Sequence, residues 1–384
     1  MALTDKLSAI GDAIREKGGT TELLTLTEMP DAIANLPSGG GSDIFPEEGM
    51  VFTDDCDNLF QNGKWEWAID AFGYGMSTKD ITTASNMFSG LKKIKRIPFS
   101  INFRQATNTT SQTLANLFSD SPLTELPDIT GSVGGMGNLL KGCMYVRSIP
   151  ESWANIDFNG FHSQTYYYYC TIQDFFTNCY SLRTIPEEFV KQLWHSVNTS
   201  NGYVGSRYKS CVSLDEIVGV RGVSNTVSTN MFSGSMFEEC NRLKRLVFDK
   251  ENGAPRIEKW QNQTIDLSKN VGHTTSGNKG LITNYNSGIT ADKEVYDDAT
   301  YQALKNDADW FTADVAYSRY NHNSAVETIN SLPDCSAYLA TAGGTNTIKF
   351  KGEAGSATDG GAINTMTEEE IAVATAKGWT VSLV

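Results

Sequence analysis

Apolar residues in this chain recur in a short fixed pattern, separated by polar stretches of changing length. The clearest copy is Phe176, Cys179, Leu182, Ile185 and Pro186, with an apolar side chain at every third position and a proline at the end. Leu140, Cys143, Val146, Ile149 and Pro150 precede it, and Tyr208, Cys211, Leu214, Ile217 and Val218 follow. Phe237, Cys240, Leu243, Leu246 and Val247 form a further copy. The earliest are Phe88, Leu91, Ile94, Ile97, Pro98 and a looser Leu117, Asp120, Leu123, Leu126, Pro127, in which Phe118 competes for the first position. Neighbouring copies begin 23 to 36 residues apart, so a constant module carries insertions of varying length.

Each module reads as one supersecondary unit. A helical segment is expected to end near the aromatic residue and the cysteine, both pointing inward, and the Leu-x-x-Ile step is expected to open a short strand. Ile94, Ile97 and Phe99, like Leu243, Leu246 and Phe248, complete the Leu-x-x-Leu-x-Leu spacing of leucine-rich repeats. One such unit cannot bury its own apolar edge, so the modules are expected to stack. Proline after the strand residue limits strand length and blunts exposed pairing.

The flanks follow other patterns. Leu3, Leu7, Ile10 and Ile14 fall at helical spacing, Gly18-Gly19 stops the run, and Met29, Ile33 and Leu36 form a second apolar stripe with Pro30 in its first turn. Residues 1–36 thus predict a helical hairpin, too small to bury a core alone. Residues 37–48 begin with the Gly/Ser stretch Pro37 to Ser42 and read as a linker. The repeats are assigned to 49–250, and 251–384 to irregular repeats and a cap. No repeat can be placed in 43–85 or 250–320, which leaves these stretches as candidate places for ligand-binding insertions. Near the end, Ser324 with Glu327 and Thr367 with Glu370 predict two capping boxes, Gly378 a helix stop, and Thr347–Phe350 and Thr380–Val384 strands.

Composition narrows the classes of function. Hydrophobic residues make up 40% and charged residues 20%, enough to build a core, and the net charge of -14 argues against a phosphate-neutralising nucleic-acid partner. Lys92, Lys93, Lys95 and Arg96 read as a solvated face. The first residues lack a basic stretch followed by an apolar run, and no segment approaches eighteen uninterrupted apolar residues, so synthesis in a cytoplasm without membrane insertion is expected. The seven cysteines, Cys56, Cys143, Cys170, Cys179, Cys211, Cys240 and Cys335, show no Cys-x-x-Cys pair and read as reduced, buried thiols.

Motifs for chemistry are sparse. His162, His195, His273 and His322 are never three or four apart, so neither a metal site nor histidine catalysis is expected. Gly272 to Gly277 imitates a phosphate loop, but Asn278 stands where lysine is needed. Asp54, Asp55, Asp57 and Asn58 approach a calcium loop, yet Leu59 and Phe60 occupy positions that need an oxygen ligand and a glycine. Glu187 and Glu188 read as solvated. A polysaccharide depolymerase would need two carboxylates facing one groove, which sequence leaves open. Tyr166, Tyr167, Tyr168 and Tyr169 are the candidate binding residues: in an extended segment two rings face inward and two are offered to a sugar or protein, with packing between repeats the favoured reading. Trp153 and Trp194 carry the same two readings, with core packing favoured.

The Phe-x-x-Cys-x-x-Leu-x-x-Ile-Pro modules resemble BspA-type leucine-rich repeats of bacterial surface proteins and phage structural proteins. Thr367 to Thr380 resembles the terminal repeat of the phage versions, and Leu7 to Lys17 with Met29 to Ile33 resembles a short N-terminal module of phage tail and other virion proteins. The resemblance implies an α/β leucine-rich-repeat solenoid of short helices and strands behind a small N-terminal helical hairpin. It further implies a non-enzymatic virion protein without cofactor or metal, of the tail-fibre or tail-tip class, binding a host surface protein or glycan. Residues 1–36 would join it to other virion proteins, and a homo-oligomer is expected, with a trimer as the usual build of such fibres. A capsid head fibre or decoration protein and a bacterial surface adhesin are the alternatives.

Overall fold

The structure is a computed structural model that describes residues 11–12, 50–105, 114–157, 174–195, 207–211, 213–220, 232, 235–240, 243–249, 260–268, 320–351 and 366–384. Gly11 and Asp12 are helical. The rest of the expected hairpin, the linker and Tyr166 to Tyr169 lie outside the described residues.

Left-handed backbone, rather than helix, organises each repeat. Asn58, Asn86, Asn116, Asn138 and Asp174, each two residues before the aromatic position, have φ between 51° and 60°. Two residues after that position, Asn62, Gly90, Asp120, Gly142, Asn178, Ser210 and Glu239 also have positive φ. A left-handed residue ends an α-helix, and Asn, Asp and Gly tolerate the conformation best. The segment therefore forms turns where the apolar spacing predicts a helix.

These turns lie on one another in register. The N–H of Phe60 donates to Met87 O at 2.8 Å, that of Phe88 to Leu117 O at 2.9 Å, and that of Phe118 to Leu139 O at 3.1 Å. Leu140 donates to Phe175 O at 3.1 Å and Phe176 to Arg207 O at 2.9 Å. Ring stacking follows the same register: Phe60 on Phe88 at 5.3 Å, Phe88 on Phe118 at 5.9 Å, Phe176 on Tyr208 at 5.6 Å and Tyr208 on Phe237 at 6.1 Å. Leu140 separates the two stacks. Phe118 is thus the first position of its repeat, while Leu117 falls in the preceding row with Met87 and Leu139. A further copy, Asn58 to Gly63, lies inside the 43–85 stretch where the apolar pattern shows none.

The six cysteines among the described residues are buried and are not joined in disulfides, and four of them bond to the neighbouring repeat. The thiols of Cys143, Cys179, Cys211 and Cys240 donate to the aromatic-position carbonyl of the repeat before, Phe118, Leu140, Phe176 and Tyr208, at 2.9 to 3.1 Å. In the Phe118 repeat Ser121 takes this place and donates to Phe88 O. Burial pushes the Cys143 thiol up to about 12, so it stays protonated and able to donate.

Short parallel strands form on the Leu-x-x-Ile side. Strand β1 (Met50–Asp55) pairs with β2 (Met76–Thr83) and β3 (Ile101–Asn102) with β4 (Ile129–Thr130). Helix α1 (Glu66–Phe72) connects the first pair, and α2 (Glu187–His195) follows Pro186. Strand β5 (Glu216–Val220) pairs with β6 (Arg245–Phe248), which sets Ile217, the fourth apolar position of one repeat, opposite Leu246 of the next.

Contacts continue across residue 250. Helix α3 (His322–Ser331) packs on β6, with Thr328 Oγ1 donating to Leu246 O at 2.7 Å and Arg245 lying between Glu216 and Glu327. Its N-cap is Asn321, not the expected Ser324, because the Asn321 carboxamide accepts the Ser324 N–H at 3.0 Å. Strands β7 (Thr264–Asp266), β8 (Asn346–Phe350) and β9 (Trp379–Leu383) form a parallel sheet in that order, with α4 (Ser336–Ala342) preceding β8 in the chain. Helix α5 (Glu368–Ala376) opens on the expected Thr367–Glu370 capping box, and Gly378 follows it at φ 82°.

Candidate functional site

A groove opens where three successive repeats meet on the proline side. Its cavity of about 310 Å³ is lined by Tyr74, by Arg96 to Ser100 and by Glu125 to Asp128. That volume lies at the lower end of the ~300–1,000 Å³ range of small-ligand sites.

Local chain geometry presents Tyr74. It lies in a single 3-10 turn, Gly73–Gly75, between α1 and β2. A Cβ on Gly73 would stand 2.3 Å from Pro98 Cγ, so only glycine lets this turn lie against the proline. Tyr74 is 83% exposed, an unusual position for so large a ring. Arg96 holds it from one side, with the guanidinium 5.8 Å from the ring centroid and an N–H donated to the phenol oxygen.

The floor comes from two matching Ile/Leu-Pro steps, Ile97-Pro98 and Leu126-Pro127. Trp153, wholly buried, supports it by donating its indole N–H to Pro127 O at 2.9 Å. Its neighbour Ser152 donates to Asp128. Glu125 stands 3.9 Å from Arg96 across the rim, with side chains 67% and 52% exposed respectively. The arrangement offers one flat ring, an apolar floor and three polar groups able to exchange hydrogen bonds with a ligand.

No family model, curated protein or solved structure matches this chain.

Other sequence candidates have different places. Tyr166 to Tyr169, Gly272 to Asn278, His162 and His273 fall outside the described residues, as do the side chains of Trp194 and His195. Trp153 packs in the core, stacked 6.4 Å from Phe118. Asp57 accepts from the Thr83 hydroxyl at 2.6 Å, Asp54 pairs with Arg104 at 3.1 Å, and Asn58 accepts from Asn86 at 3.1 Å. These oxygens hold neighbouring chain segments in place. Glu187 and Glu188 both meet Lys191 Nζ, at 2.8 and 2.6 Å. His322 bonds Glu370 at 3.0 Å. Among the described residues no three His, Cys, Asp or Glu side chains converge as metal ligands, and no helix is long and apolar enough to cross a membrane.

The apolar pattern misses Tyr74, because the ring contributes nothing to the core. Its one sequence signal is an aromatic residue between two glycines, Gly73-Tyr74-Gly75, inside 43–85.

Proposed function

We propose that the chain is a non-enzymatic, leucine-rich-repeat adhesion protein of a phage virion, of the tail-fibre or tail-tip class, whose stacked repeats present a binding surface to the host. The observation that carries this reading is the register of the repeats. Rungs and ring stacks fix the regular positions for stability, which leaves the segments between them free to serve as recognition elements. The expected hairpin and linker supply the attachment, and the resemblance of both chain ends to phage virion modules supplies the setting.

The groove favours binding over cleavage. Glu125 and Asp128 are both exposed, whereas a carboxylic acid kept protonated for general-acid work needs a desolvated pocket. Mass spectrometry of gradient-purified particles, with immunogold labelling, tests the reading. The expected result is the protein at the tail tip or along tail fibres, together with competition by the purified chain for phage adsorption. Labelling confined to the capsid would favour a head fibre, and absence from particles would overturn the virion assignment.

A further inference from the structure

We propose that the groove between Tyr74, Arg96, Glu125 and Asp128 is a subsite for a neutral hexopyranose unit of a surface glycan. The inference rests on the adhesion reading and names its ligand class.

A pyranose has one face of C–H groups and an equatorial belt of hydroxyls. It is bound best by a flat aromatic ring beside planar groups that accept and donate hydrogen bonds in pairs. Tyr74 provides the ring. With Arg96 over one face and 83% of the residue exposed, the opposite face is open to a stacked sugar. Glu125 and Asp128 provide paired acceptors for vicinal hydroxyls, and Arg96 provides donors in a fixed fork. Pro98 and Pro127 form the apolar floor of the groove beside the stacked ring. A cavity of about 310 Å³ suits one or two sugar rings.

Charge selects among sugars. The rim carries Arg96 against Glu125 and Asp128, and the whole chain carries -14, so a uronate or sialic acid would meet net repulsion. Rigidity adds to affinity: Gly73 against Pro98, Trp153 under Pro127 and Ser152 on Asp128 hold the groove in shape before a ligand arrives.

The test uses the full-length protein and calorimetric titration with trisaccharides of glucose, galactose and N-acetylglucosamine, a hyaluronan tetrasaccharide, and a Pro-x-x-Pro peptide. At least one neutral trisaccharide is expected to bind saturably. Tyr74→Ala should weaken that binding roughly tenfold or more, as loss of an aromatic anchor does, and Tyr74→Phe should retain most of it. Because Tyr74 lies outside the core, the melting temperature should not move, which separates loss of a contact from loss of fold. Failure of every neutral trisaccharide to bind, equal binding by Tyr74→Ala, or binding of the peptide alone would overturn the proposal. Cell adhesion that survives Tyr74→Ala would sink this subsite and leave the adhesion reading standing. Tyr74-dependent sugar binding by a protein absent from particles would do the reverse. Release of reducing ends that Glu125→Gln abolishes would uphold the ligand class and overturn the non-enzymatic assignment.

Discussion

The left-handed positions two residues after the aromatic position run Asn62, Gly90, Asp120, Gly142, Asn178, so a side chain and a glycine alternate over these five repeats before Ser210 and Glu239 end the alternation. A Cβ on Gly90 would stand 2.7 Å from Asn62 Oδ1, and one on Gly142 would stand 2.1 Å from Asp120 Oδ1. Each glycine leaves the room that the polar side chain of the previous repeat occupies. Gly142→Ala tests this interleaving. Placing a Cβ at φ 76° costs about 1–2 kcal/mol. Reduced freedom of the unfolded chain returns ~0.4–1 kcal/mol of that. Displacing Asp120 adds a steric cost of about 1–3 kcal/mol. These ranges sum to about 1–5 kcal/mol in the native background, centred near 3.

A double-mutant cycle separates the two causes. With Asp120→Gly the steric part disappears, and Gly142→Ala should then cost only about 1 kcal/mol. Urea unfolding followed by tryptophan fluorescence is a suitable assay, since Trp153 stacks on Phe118 one row from the substituted residues. Equal destabilisation in both backgrounds would refute the interleaving and leave backbone strain as the whole effect.

Three further outcomes follow from other contacts. Glu66, 7% exposed, accepts the backbone N–H groups of Lys92 at 2.9 Å and Ile94 at 2.7 Å, as well as that of Lys93; Glu66→Gln should cost about 1–3 kcal/mol, and an unchanged urea midpoint would contradict that role. Burial raises the thiols of Cys143, Cys179, Cys211 and Cys240, so mass mapping after iodoacetamide at pH 8 should find them labelled only in denaturant, and native labelling would count against the thiol–carbonyl ladder. The Thr367 N–H, with a lesser share from His322, lowers the Glu370 carboxyl, a group whose folded value below the unfolded one stabilises at neutral pH. The stability gap between wild type and Glu370→Gln should be full above the ordinary glutamate range of about 4.3 and close as pH falls through the lowered value; a gap independent of pH would show that the capping contact is not the cause.

The apolar spacing reveals repeats only where apolar residues mark them. In the first copy the positions three and six after Phe60 are Gly63 and Glu66, so the triplet pattern fails there. The polar signature survives as Asn58-x-Phe60-x-Asn62, the pair of left-handed residues around an aromatic. Asn in loops is common, and without the fold these positions carry no weight. The helix expected beside the aromatic residue fails for the same reason: periodicity records which side chains are buried, not the sign of φ between them. Strands β8 and β9 and the Thr367 cap were legible because their signals are local, an alternating run and a Thr-x-x-Glu box. Asn321 was not, since Ser324 and Glu327 make the same box three residues later.

The groove was illegible because its parts lie in three repeats and no single module contains it. Tyr74, Arg96 and Glu125 are brought together by the backbone rungs that join Phe60 to Met87 O and Phe88 to Leu117 O. Those rungs keep successive segments about one strand spacing apart, ~4.8 Å, which is close to the breadth of a sugar ring. Repeat stacking therefore determines groove width as well as stability. On the glycan-subsite proposal, changing Tyr74, Arg96 or Glu125 alone should alter recognition, because none of these exposed side chains takes part in the ladder that sets their separation.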